Sequence, residues 1–120
     1  MREILFRGKR WNDGEWLEGT LYRLAYEFDP FIMLANRHGE SYQVKPETVG
    51  QFTGLTDKNG KKVFEGDIIK AIASNPVGED VQATVIVRLD DYELMWDIEH
   101  SHEIEVIGNI HDNPELLKGT

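Results

Sequence analysis

Apolar and polar residues alternate along almost the whole of this chain, and a period of two is the mark of strands with one buried face. No long stretch carries the 3.6-residue apolar period of a helix. Ile4-Leu5-Phe6 opens a strand expected to reach about Trp11. Asn12-Asp13-Gly14 tolerates positive φ, and Trp16 to Tyr22 returns, which reads as an N-terminal hairpin whose Trp11 and Trp16 face each other across the strands. Phe31-Ile32-Met33-Leu34 and Tyr42-Gln43-Val44 are two further short strands, and Pro46-Glu47-Thr48-Val49 is a single helical turn. Gln51 to Leu55 then leads into Asp57-Lys58-Asn59-Gly60, a hairpin turn of expected type I′ with Asp57 holding the loop, and Lys61 to Phe64 returns. The remaining strands are expected at Ile68 to Ile72, Val81 to Leu89, Leu94 to Ile98 and Ile104 to Ile110. The β-branched run from Val81 to Val87 suits a strand at least half buried. Asn113-Pro114-Glu115-Leu116-Leu117 closes the chain as a short helical turn with Asn as its N-cap.

Short strands separated by Gly, Pro and Asn turns predict an all-β fold, a small barrel or sandwich, built as one domain over the 120 residues. There is no cysteine, which removes disulfides, thiolate catalysis and cysteine-based metal sites. No apolar run is long enough for a membrane span, and Met1-Arg2-Glu3-Ile4 lacks the apolar segment of a secretion signal. The expectation is a soluble protein of the cytoplasm.

Charge divides the chain. Residues 1–70 hold 11 basic and 11 acidic side chains, whereas residues 71–120 hold 2 basic and 11 acidic ones and so account for the whole net charge of -9. Between Arg88 and Lys118 there is no Lys or Arg, while Asp90, Asp91, Glu93, Asp97, Glu99, Glu103, Glu105, Asp112 and Glu115 all lie there. Phosphate backbones are bound by Lys and Arg that displace counterions, so this balance disfavours nucleic acid and anionic membranes. The acidic half reads either as a solvated face or as a surface complementary to a basic partner.

Candidate chemistry is sparse. His100-Ser101-His102 is the only metal-like spacing, with Asp97, Glu99, Glu103, His38 and His111 elsewhere. On a strand, positions i and i+2 share a face, but the polar run from Glu99 to Glu103 reads better as an exposed turn. Asp57-Lys58-Asn59-Gly60 lacks the position-six glycine and position-twelve glutamate of a calcium loop. No nucleophile elbow, Walker loop or dinucleotide fingerprint is present. Trp11, Trp16, Tyr22, Tyr26, Phe28 and Phe31 lie near Arg7, Lys9, Arg10 and Arg23, an interleaving that single-strand binders use, although core packing explains the same residues. No catalytic, cofactor-binding or metal residue is assigned.

Three segments together resemble the YopX family of phages and prophages. They are Arg2-Glu3-Ile4-Leu5-Phe6-Arg7-Gly8, the block from Pro46 through Gly54-Leu55-Thr56-Asp57-Lys58-Asn59-Gly60 and Glu65-Gly66-Asp67 to Ile69, and Glu105-Val106-Ile107-Gly108-Asn109-Ile110-His111-Asp112-Asn113-Pro114 to Leu117. The resemblance implies a mostly β architecture on a small, partly open or SH3-like barrel. It implies no reaction, and it supplies no active-site residues. Gly54, Gly60, Gly66 and Gly108 read as places where the chain turns or backbones approach closely. The functional expectation is a non-catalytic phage accessory protein that binds a host or phage protein, a basic one if the acidic half is used, with homo-oligomers forming at open sheet edges. The alternative is a nucleic-acid-associated protein of the phage replication or recombination region that uses the neutral, aromatic half.

Overall fold

The computed structural model describes residues 4–25, 29–34 and 39–117. His38, Tyr26 and Phe28 fall outside them. The chain forms two compact units, Met1–Phe52 and Thr53–Thr120.

In the first unit β1 (Phe6–Lys9), β2 (Trp16–Tyr22), β3 (Phe31–Leu34), β4 (Ser41–Gln43) and the start of β5 (Gly50–Thr56) lie in the order β4-β3-β2-β1-β5. Every pairing is antiparallel. Alternation in β2 works as the sequence predicts, with Leu17 turned inward and Glu18 outward. Leu17, Ile32 and Val44 form the core, with Leu21, Leu34, Tyr42 and Val49 packed around it. Gly8 lets Val44 cross this core closely, since a Cβ there would stand 3.1 Å from two Val44 atoms. The register places Lys9, not Trp11, opposite Trp16, because Trp11 has already left β1 for the turn. The cross-strand aromatic pair is instead Tyr22 with Phe31, stacked at 5.3 Å.

In the second unit β5 continues beside β6 (Lys62–Phe64), and β7 (Asp67–Ser74), β8 (Asp80–Ile86) and β9 (Glu103–Asn109) form an antiparallel sheet ordered β8-β7-β9. Two loops of this unit share one design. In Asp57 to Lys61 and in Asn75 to Glu79, the first side chain's Oδ1 accepts N–H bonds from the third and fifth residues, and the fourth residue is a glycine at φ 80 or 87. Among the described residues no non-glycine has positive φ, so Asn59 does not adopt the expected type I′ conformation. The Asp57 carboxylate organises the loop instead.

A helix, α1 (Tyr92–Glu99), stands where a strand from Leu94 to Ile98 was expected. Eight residues are too few to reveal a helical period. Its local signals are real, however. Asp91 caps the helix through a 3.0 Å bond from the Leu94 N–H, and Glu93 lies in the first turn. Met95 and Ile98 are buried against Val63, Ile69 and Val87, each contributing about 1.5–3 kcal/mol, and that burial stabilises a helix too short to persist alone. The other departure is β8, expected to be half buried but exposed from Asp80 to Thr84. It lies at the sheet edge, and only its end is half-buried, where Val85 packs against the core that α1 helps to form. The sheets are thus two open antiparallel arrays with one short helix. Among the described residues no helix is long and apolar enough to cross a membrane.

The chain closes with a 3-10 turn at Pro114–Leu117. Asn113 stands at the expected N-cap position with Pro114 after it, its carbonyl accepting from the Leu116 N–H at 3.1 Å, and its Oδ1 accepts from the Asn109 N–H at 3.2 Å. Gly108 is required by this arrangement, since a Cβ would stand 2.7 Å from Asn113 Oδ1 and 2.8 Å from Leu116 Cδ1.

Candidate functional site

A concavity lies on the second unit's three-stranded sheet. An eight-residue helix spans only about 12 Å. On the face that α1 covers, it leaves open a groove of about 590 Å³. The alternation of the strands supplies the floor, namely Ala71 and Ala73 of β7 with Val81, Ala83 and Val85 of β8. Three of these are alanines, which gives the groove its depth. The wall is Leu94, Trp96 and Ile98 of the helix. Val81 remains 49% exposed and Trp96 50%, so the groove presents apolar surface to solvent.

His100 and His102 are both at one end of this groove, but they do not share a strand face. His100 caps the C-terminus of α1 and stacks on Trp96 at 3.7 Å, with Nδ1 2.8 Å from the Trp96 carbonyl oxygen. The His102 N–H donates to Ile72 as the chain enters β9, and its Nε2 lies 2.6 Å from Ser74 Oγ and 3.8 Å from Asp80. Ser74, His102 and Asp80 superficially form a nucleophile, base and acid. They do not make a relay, because hydroxyl and carboxylate approach the same ring nitrogen, whereas a triad uses the two nitrogens separately. Among the described residues no three His, Asp or Glu side chains gather as a metal site.

Asp97 is in the groove lining with His100 and His102, and Glu79 and Asp80 lie at the hairpin end beside the lining residues Asn75 and His102, whereas Glu99 lines a separate concavity with Lys58 and Glu103. The cation Lys58 sits on the other side of β9, 3.5 Å from Glu103 and 3.7 Å from Glu105. Beside it Asp57 is buried, 7% exposed, and accepts N–H bonds from Asn59 and Lys61 at 2.9 Å and from Val106 at 3.0 Å. Burial pushes this carboxyl up. The bonds from Val106, Lys61 and Asn59, with the Lys61 charge, outweigh that and hold it below its ordinary value.

The aromatic half of the chain is arranged differently. Arg7 and Lys9 lie over Trp16 at 4.7 and 5.4 Å, Arg10 over Tyr42 at 4.8 Å, and Lys45 over Trp11 at 5.4 Å. Trp11 Nε1 also donates to Asp29 at 2.7 Å. The chain's own cations therefore cover ring faces on which bases would stack. Arg10 is further engaged by Asp13, whose carboxyl it lowers to about 2 through their hydrogen bond, aided by the Glu15 N–H. What composition alone did not reveal is the groove, since its alanines carry no chemical signal until a short helix leaves them uncovered.

No curated protein matches the chain. Among solved structures, the crystal structure of protein EF1440 from Enterococcus faecalis is similar, with 26% sequence identity and a TM-score of 0.53. The likeness covers 98% of this chain and 100% of that one. The family described as YopX protein matches residues 5–118, from the first strand to the closing turn and through both units. The glycine-punctuated hairpins, the Asp57 loop and the Gly108 turn described above are thus those of a chain that belongs to the YopX family.

Proposed function

We propose that this protein is a non-catalytic accessory protein of a phage or prophage, working in the cytoplasm of the bacterial host by binding another protein. The observation that carries the reading is the apolar groove of the second unit, whose lining includes Asp97 and whose hairpin end carries Glu79 and Asp80 beside Asn75 and His102. Apolar floor with a charged rim is the composition of a protein-binding patch. The sign of the rim selects a basic partner and repels polyanions. A partly open, SH3-like barrel, as the sequence suggests, would serve the same end, because incomplete closure leaves sheet edges for a partner.

The test is affinity capture from host lysate with the wild-type chain and with a Glu79→Gln, Asp80→Asn, Asp97→Asn variant shown to be folded by circular dichroism. The reading expects a basic protein that moderate salt releases from the wild type and that the variant fails to hold. Equal retention by the variant refutes it. Binding of single-stranded DNA that falls steeply with salt would move the function to the aromatic half instead.

A further inference from the structure

The two edges of the β8-β7-β9 sheet are treated differently. On the β9 side the Asp57 loop occupies the edge, with the Lys58 N–H donating to the Ile104 carbonyl at 3.0 Å and the Val106 N–H donating to Asp57 Oδ2 at 3.0 Å. On the β8 side the strand ends the sheet. Edge strands are ordinarily blunted by Lys, Pro, bulges or a covering segment. Asp80-Val81-Gln82-Ala83-Thr84-Val85-Ile86 has no Lys, Arg or Pro, its register with β7 is unshifted, and five of its seven residues are exposed.

The register also shows which backbone groups face outward. Val87 donates to Asp67 at 2.9 Å, and Asn75 donates to Glu79 at 2.8 Å across the hairpin end. Hydrogen-bonded pairs alternate in an antiparallel ladder, so the pairs between those two bonds are Ile69 with Val85, Ala71 with Ala83, and Ala73 with Val81. The N–H and C=O groups of Gln82, Thr84 and Ile86 therefore point away from β7. Val81, Ala83 and Val85 meanwhile turn their side chains into the groove. An open edge and an apolar groove lie side by side on one strand.

From this the geometry points to strand addition at β8: an extended segment of a partner protein pairs with the outward amides and carbonyls of Gln82, Thr84 and Ile86. Its alternate side chains, small or branched apolar ones, enter the groove beside Val81 and Ala83. The intervening positions project to the face that carries Asp80 and are Lys or Arg, and a flanking Lys or Arg reaches Asp97 in the groove lining. This rests on the protein-binding reading above and specifies its site, its mode and the chemistry of its ligand.

The probe is a labelled peptide of about eight residues alternating Lys and Val, a strand's length, compared with a peptide of the same composition in two blocks. Amide hydrogen exchange of the wild-type chain is followed by NMR at saturating peptide. Exchange at Gln82, Thr84 and Ile86 should slow by about tenfold or more, and the block peptide should bind more weakly. Thr84→Pro removes one outward N–H while sparing the β7 ladder, and it should weaken binding about tenfold. Ala83→Leu, which fills the groove floor without touching the edge, should also weaken it. Absence of peptide binding, binding with unchanged exchange at the three amides, or full affinity in both variants overturns the inference. If strand addition fails while the carboxamide variant still loses its captured partner, the acidic-surface reading stands alone. Retention of that partner by the carboxamide variant sinks the reading itself.

Discussion

Asp57 offers the sharpest test of how the second unit is held together. Its carboxylate takes N–H bonds from Asn59 and Lys61 within its own loop and from Val106 on β9, so one side chain both shapes a hairpin and ties it to the sheet. Removing it by Asp57→Ala strands three N–H groups. Those of Asn59 and Lys61 belong to exposed residues and return to water, whereas Val106 is half-buried and recovers less. With about 1.5–3 kcal/mol for a bond to a charged acceptor that cannot be replaced, plus several tenths for each loop bond, the loss is about 3 kcal/mol. Asp57→Asn keeps an amide oxygen for the loop but turns an NH₂ toward the Val106 N–H, for a loss of about 2 kcal/mol. For a unit of this size, 3 kcal/mol lowers the melting temperature by roughly 10 °C or more.

The pH dependence has a definite sign. A carboxyl held below its ordinary value in the fold binds more protons when unfolded, so its stabilisation is present above the unfolded value of about 3.9 and is lost as pH falls through the folded one. Urea titrations followed by circular dichroism at neutral pH and from about pH 5 downward measure both effects. The order of stability should be wild type, then Asn, then Ala at neutral pH, and the gap between wild type and Asn should narrow in acid. An Asn variant as stable as wild type at neutral pH, or a gap that widens on acidification, would refute the reasoning.

Two further substitutions probe the closing turn and the helix. Gly108→Ala drives a Cβ against Asn113 and Leu116 and should cost about 1–3 kcal/mol, seen as a lower urea midpoint with the closing turn displaced in NMR spectra. Asp91→Ala removes the cap of α1 and should cost about 1 kcal/mol in the same titration, whereas Asp91→Asn should stay within a few tenths of wild type.

The groove follows from an interplay that no single segment contains. Helix α1 seals the core with Met95 and Ile98 at its inner face, while Trp96, one residue on, is turned toward solvent and stacks with His100. Shortness leaves Ala73, Val81 and Ala83 without a roof. The apolar run of β8 misleads for the same reason. Val81 to Val87 carries the composition of a buried strand, yet burial depends on what lies above and beside it, and there the sheet simply ends. Leu94 to Ile98 misleads from the other direction, since so short an apolar segment suits a strand or a helix equally until a cap and a core choose between them.

Local chemistry was legible in the order of residues. Asn and Asp before Gly placed the turns, and alternation placed Leu17 inward and Glu18 outward. These depend on backbone conformations and side-chain charges that each residue carries with it. Whether Trp16 meets Trp11 or Lys9, which edge of the second sheet is plugged, and where two histidines point depend on register and on which strand comes last. Those are relations between distant segments, set by the burial of Ile69, Val87 and Ile98 in one core, and only the folded chain decides them.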